Sequence, residues 1–136
     1  MPEGNPEIIG TTAVHDTETL LSKIGPDIII DASVVCGRAH ILFSYFRALR
    51  NVERGTAKGS SLATEFFRQI TGERQVSSAI KMARIKEGRP AVILTHKNPE
   101  DVLKSLGLER DDSVIGCKGE NCEEECLERS ALVEIL

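Results

Sequence analysis

Large aromatic side chains are scarce in this sequence, which has no Trp, one Tyr and four Phe in 136 residues. The core must therefore be built from Ile, Leu, Val and Ala. No stretch reaches the ~18 apolar residues that a membrane-spanning helix needs, so no membrane association is expected. Residues 1–5 have neither a basic start nor an apolar run, so we predict no signal peptide and a cytoplasmic location.

Groups able to carry out catalysis are also few. The three histidines, His15, His40 and His96, lie far apart in sequence. Cys36 and His40 could form a thiol–imidazole pair if the helix around them begins early enough. A nucleophile also needs an orienting group and an oxyanion hole, and the sequence places neither. Core packing is the other interpretation of Cys36. We predict no enzyme activity, no catalytic residue and no cofactor.

The remaining cysteines do not form a zinc motif. Cys117, Cys122 and Cys126 are spaced C-x4-C-x3-C, whereas structural zinc sites typically contain C-x2-C pairs. Three alternatives stay open: a metal site, a disulfide from Cys117 to one of the other two, or free thiols. We predict no metal and at most a structural role for the trio.

The composition is that of a globular protein, with 40% apolar and 28% charged residues. The length fits one domain spanning residues 1–136. Charge is distributed unevenly, since residues 47–97 hold 11 of the 17 Lys and Arg and only four of the 21 acidic residues. That middle segment could contact an anionic partner, or its charges could lie on solvated helix faces.

Hydrophobic periodicity and turn residues predict an α+β fold. Four runs have the apolar, β-branched pattern of strands: residues 7–14, 27–31, 90–95 and 112–116. Helices are predicted over 17–23 (capped by Asp16 or Thr17), 37–53, two segments split near 71–72, 98–107 (capped by Asn98, with Pro99 at its first position) and from 120 onward. We expect a single domain with a mixed sheet of about four strands and helices packed against it.

The predicted helix over 37–53 has a basic face. Arg47, Arg50 and Arg54 fall opposite its apolar side, and Phe43 joins them there. An aromatic ring on a basic face can stack a base or anchor a partner. Packing under a neighbouring loop is the alternative.

The segment after this helix could bind a phosphate. It contains Lys58, Ser60 and Ser61 together with two glycines, just before a predicted helix N-terminus. It is not a P-loop, because Lys58 precedes the second glycine instead of following it. The alternative is that Ser60 or Ser61 is only a helix cap.

Three stretches together resemble a known family. The longest is Leu62-Ala63-x-Glu65-Phe66-Phe67-x-x-Ile70-Thr71-Gly72-Glu73-Arg74-Gln75-Val76-x-x-Ala79-Ile80. The other two are Gly37-x-x-His40-Ile41-Leu42 and Glu128-Arg129-Ser130-Ala131-Leu132-Val133. This pattern is similar to that of the small kinase-binding subunit of the KEOPS (EKC) complex, a family that includes the human PRPK-binding protein and shorter archaeal relatives.

The resemblance implies a non-catalytic subunit. Such a subunit binds the KEOPS kinase/ATPase directly and meets the transferase only through it. It also helps to recruit tRNA by its 3′ CCA tail, for threonylcarbamoyladenosine modification next to the anticodon. The alternatives are a protein–protein adaptor that does not contact RNA and a small phosphate-binding enzyme that uses Cys36.

Candidate residues follow from the motif and the charge pattern. The expected RNA-binding residues are Arg54, Lys58, Ser60, Ser61 and Arg74. For the kinase interface, helical spacing places Val76 on one face with Ile80 and Ala83, for which core burial is the default. Since Val76 stands in the first turn, where a helix end can reach the surface, we expect it to contact the kinase, with Phe43 as a second anchor.

Overall fold

The computed structural model describes residues 4–57, 61–116 and 124–128. Its described residues divide into two compact units. The first combines residues 4–33 with 84–115, and the second contains residues 34–83 and the described residues from 116 onward. The α+β class predicted from the sequence is confirmed. No helix in the described part of the chain is both long and apolar enough to cross a membrane.

A three-stranded antiparallel sheet organises the first unit. Its strands are β1 (Glu7–Gly10), β2 (Ile28–Asp31) and β3 (Ala91–Thr95), in the order β1-β3-β2. Ile93 in the central strand pairs with Ile9 on one side and with Ile29 on the other. All residues of β2 and β3 are buried, as expected of apolar runs bounded by turn residues.

The prediction of a mixed sheet of about four strands is not confirmed, because the sheet formed by the described residues has three antiparallel strands. The segment expected to form the fourth strand is a 3-10 helix, Asp112–Ile115. Asp111 Oδ1 accepts a hydrogen bond from the Ser113 N–H at 3.1 Å, and Asp112 Oδ1 accepts one from the Gly10 N–H at 3.0 Å. These bonds turn the backbone locally instead of leaving it extended. The first strand is also shorter than predicted, because ladder pairing ends at Gly10.

Two helices complete the first unit, α1 (Thr17–Lys23) and α5 (Pro99–Leu106). The cap predicted for α5 is confirmed, since the Asn98 side chain accepts from the N–H groups of Glu100 and Asp101. The helices cover a buried apolar cluster: Ile9, Val14, Leu20, Ile29, Ile85, Ala91, Ile93, Val102 and Leu103.

The cap predicted for α1 is confirmed in its position but not in its side-chain bond. Asp16 occupies the N-cap position, but its side chain makes no capping bond. Glu87 supplies the acceptors instead, bonding the N–H groups of Asp16 at 3.1 Å and Thr17 at 2.7 Å. The pKa of the Glu87 carboxyl lies below its ordinary value, and the hydrogen bond from the Thr17 N–H is the largest cause.

The main helices described in the second unit are α2 (Arg38–Arg54), α3 (Leu62–Thr71) and α4 (Val76–Ala83). The predicted split between α3 and α4 is confirmed. Gly72 ends α3 in a left-handed conformation with φ of 73°. Helix α2 packs on α3 through Tyr45, whose ring centroid lies 6.4 Å from that of Phe66. Residues 124–128 are helical.

Candidate functional site

The basic face predicted for α2 is present in the structure and is largely exposed. Arg50 and Arg54 are exposed and Arg47 is half-buried. Helix α2 ends directly after Arg54, because Gly55 adopts φ of 72° and its N–H bonds the carbonyls of Asn51 and Val52. Positions 47, 50 and 54 therefore all belong to regular helix and share one side of it.

A cavity of about 110 Å³ opens on this face, and its lining includes Arg47, Arg50, Asn51 and Arg54. Asn51 is held in place through both its side chain and its backbone. Its Nδ2 donates to Glu65 Oε2 at 2.9 Å, and the Thr56 N–H donates to its backbone carbonyl at 2.9 Å. The cavity is thus surrounded by guanidinium donors on a fixed helical frame.

Phe43 contacts Arg47, one of the residues that line this cavity. The guanidinium carbon of Arg47 lies 5.3 Å from the centroid of the Phe43 ring, a cation–π distance. Phe43 itself is half-buried. One role of the aromatic residue on the basic face is therefore to orient Arg47.

The loop predicted to bind phosphate is described only in part. Lys58 and Ser60 lie outside the described residues. The Ser61 side chain caps α3, accepting from the Thr64 N–H at 3.2 Å, while Thr64 Oγ1 accepts from the Ser61 N–H at 3.0 Å. This capping-box arrangement engages the Ser61 hydroxyl in the helix itself.

Arg74, another residue expected to bind RNA, is exposed in the turn between α3 and α4. Ten residues of α3 separate that turn from Ser61, which at 1.5 Å per residue is about 15 Å. The structure thus places Arg54 with the other arginines of α2, but it does not bring Arg74 into the same cavity.

Sequence reasoning missed a buried charged network on α3. Glu65 is fully buried and Arg68 nearly so. Arg68 Nη1 donates to Glu65 Oε1 at 2.8 Å, and Gln69 Nε2 donates to Glu65 Oε2 at 3.2 Å. Arg68 Nε donates to the carbonyl of Arg74 at 2.9 Å. The network therefore fixes the turn that carries Arg74.

The face of α4 that was predicted to contact the kinase is only partly buried. Ala79 and Ala83 are buried, as the default interpretation required for Ala83. Val76 and Ile80 are half-buried, so part of each side chain remains accessible. Val76 is the first residue of α4 and directly follows the turn held by Arg68.

The suggested thiol–imidazole pair is not formed. The Nδ1 atom of His40 accepts a hydrogen bond from the backbone N–H of Cys36 at 3.1 Å, and its Nε2 lies 3.1 Å from the Ile70 carbonyl. Cys36 is in a disulfide. A disulfide sulfur has no thiolate to act as a nucleophile. Cys36 is also buried, in agreement with the packing interpretation.

The cysteine trio is described only at Cys126, a half-buried thiol; Cys117 and Cys122 lie outside the described residues. Among residues 4–57, 61–116 and 124–128, no three or more His, Cys, Asp or Glu side chains are grouped to hold a metal ion.

Comparison with protein families gives a match that covers most of the chain. The family described as kinase binding protein CGI-121 matches residues 12–128. The matched region contains α2, α3, α4 and most of the first unit, and so includes the arginine cavity, the buried network and Val76. Comparison with curated proteins gave no match.

Proposed function

Because the chain belongs to the CGI-121 family of kinase-binding proteins, we propose that it is a non-catalytic subunit of the KEOPS (EKC) complex. In this role it binds the kinase/ATPase subunit directly and meets the transferase only through the kinase. The family match over residues 12–128 is the observation that carries the proposal. The motifs of residues 37–42 and 62–80 add support from the sequence.

We further propose that the subunit helps to recruit tRNA by its 3′ CCA tail. Support comes from the positive charge of residues 47–97 and from the exposed Arg50, Arg54 and Arg74. Basic side chains bind nucleic acid mainly by neutralising phosphates and releasing condensed counterions. A protein–protein adaptor without RNA contact remains the second candidate, and tRNA binding separates the two.

The RNA role predicts salt-dependent binding of tRNA that requires its tail. In fluorescence anisotropy with the full chain, removing CCA should weaken binding far more than changing the anticodon stem. Arg74→Gln should flatten the plot of log affinity against log salt by about one unit, since one phosphate contact is lost.

Arg38→Gln is the matched control, because Arg38 is exposed and lies outside residues 47–97; it should leave that slope unchanged. Equal affinity for tRNA with and without CCA would overturn the tail assignment. If wild-type protein does not bind tRNA at all, the adaptor function is correct.

The kinase role predicts that Val76→Glu abolishes capture of the KEOPS kinase. An apolar residue central to an interface contributes about 2 kcal/mol or more, roughly 30-fold in affinity, and a buried unpaired charge costs more. Because Val76 is half-buried at the start of α4, the variant should stay folded. Pull-down and calorimetry with purified kinase measure the loss.

Val52→Glu is the control, since it makes the same substitution at a residue of α2 that is 41% exposed. It should bind the kinase normally. A folded Val76→Glu protein that still binds with wild-type affinity would place the interface elsewhere. Unfolding of that variant would assign Val76 to the core.

A further inference from the structure

The arginine cavity of α2 has the composition of an oxyanion site. Its volume of about 110 Å³ far exceeds the ~10–15 Å³ that one water molecule needs, so a phosphate group has room. Three of its lining residues are arginines, the side chain whose planar fork of donors suits phosphate oxygens best.

The charges around the cavity favour an anion. Glu53 is the single acidic residue of α2 against four arginines. Glu65, which contacts Asn51, has its charge offset by Arg68 at 2.8 Å. The cavity lies near the C-terminal end of α2, where the helix dipole contributes about half a negative charge. Three guanidinium groups outweigh that term.

The cavity is also held in shape before any ligand arrives. Asn51 is bonded to Glu65, and Arg47 is placed by the Phe43 ring. Groups that are already positioned lose less conformational freedom on binding. Basic side chains combined with an aromatic ring are an arrangement that proteins use for nucleic-acid strands.

We propose that Arg47, Arg50, Asn51 and Arg54 form a binding site for a phosphate of an RNA backbone, with Arg47 and Arg50 as RNA contacts in addition to Arg54. The assignment to RNA rests on the proposed tRNA-binding function. The anion site itself rests on the cavity and its charges. The site lies apart from Arg74, so the two positions contact different phosphates.

The first test is titration of the full chain with inorganic phosphate, followed by NMR of the arginine Nε–H groups. The signals of Arg47 and Arg50 should shift saturably, and Arg50→Gln should remove the saturable response of Arg47. Arg38→Gln, which removes the same charge from the first residue of α2, should preserve it. The absence of a saturable shift in the wild-type protein would overturn the site.

The second test is tRNA binding over a range of salt concentrations. Arg50→Gln should lower the salt slope by about one unit, because one phosphate contact is lost, whereas Arg38→Gln should not. If wild-type protein binds tRNA and the two variants behave alike, the inference is wrong while the tRNA function stands. A phosphate response without any tRNA binding would leave the anion site standing and reject the function.

A third measurement separates RNA from an acidic protein partner. Poly-glutamate at matched charge should shift the Arg47 and Arg50 signals much less than single-stranded RNA does. An equal or larger response to poly-glutamate would assign the site to carboxylates and overturn the proposal.

Discussion

Replacing Arg68 by Met is expected to lower the free energy of unfolding by about 3–5 kcal/mol, the usual cost of removing one partner of a buried ion pair. Arg68 and Glu65 are both buried, and their side chains meet at 2.8 Å. The substitution leaves the Glu65 carboxylate in the interior without its cation. It also leaves the carbonyl of Arg74 without the bond from Arg68 Nε. Urea denaturation of the purified chain measures the loss.

Two further variants define the origin of this loss. Arg84→Met removes an exposed arginine and should change the free energy of unfolding by less than about 0.5 kcal/mol. The double variant Glu65→Met/Arg68→Met should be more stable than Arg68→Met alone, because no unpaired charge stays buried. A double variant less stable than the single one would mean that the hydrogen bonds of Glu65 with Asn51 and Gln69 outweigh the cost of its unpaired charge.

The pH dependence of the same pair has a definite sign. Burial by itself raises the pKa of Glu65, but bonds from Asn51, Arg68 and Gln69 and the charge of Arg68 lower it below the ordinary value. The unfolded chain therefore takes up this proton more readily than the folded one. The stabilisation is complete above the unfolded pKa of about 4.3 and is lost as pH falls through the folded value.

In Arg68→Met the balance at Glu65 should reverse. Without the cation, burial dominates and raises the carboxyl pKa, so protonation relieves the buried charge. The stability difference between wild type and Arg68→Met should therefore shrink as pH is lowered toward 4. A difference that stays constant between pH 7 and pH 4 would contradict this account.

Local sequence signals predicted the elements whose causes are themselves local. Asn98 followed by Pro99 predicts the start of α5, and the Asn98 side chain makes both expected bonds. The arginine face of α2 follows from helical spacing alone. The cap of α1 could not be found this way, because Glu87 is 70 residues away from Thr17. The 3-10 helix of Asp112–Ile115, where a strand was predicted, involves a bond from the distant Gly10 N–H to Asp112.

The candidate site, too, could be predicted only where its causes are local in sequence. Spacing placed Arg47, Arg50 and Arg54 together, but the position of Asn51 depends on Glu65 in another helix. Charged residues are usually exposed, so the residue types of Glu65 and Arg68 favour the surface. Their spacing with Gln69 at i, i+3 and i+4 is the one signal available, since it puts three polar groups on a single face of α3.

Replacing His40 by Leu is expected to lower the free energy of unfolding by about 3 kcal/mol. His40 is fully buried. Its Nδ1 accepts from the Cys36 N–H and therefore carries no proton, so Nε2 is the protonated nitrogen and donates to the Ile70 carbonyl at 3.1 Å. The imidazole thus links the start of α2 to the end of α3. Leucine leaves both backbone groups unsatisfied, at about 1–3 kcal/mol each.

Two substitutions at the same position separate the two bonds. Asparagine places an acceptor near the Nδ1 position and can keep the bond from Cys36. Glutamine places a donor near the Nε2 position and can keep the bond to Ile70. Each should be less stable than wild type and more stable than His40→Leu when compared by urea denaturation. If leucine is tolerated as well as asparagine and glutamine, the hydrogen bonds do not stabilise the fold, and His40 acts through its volume alone.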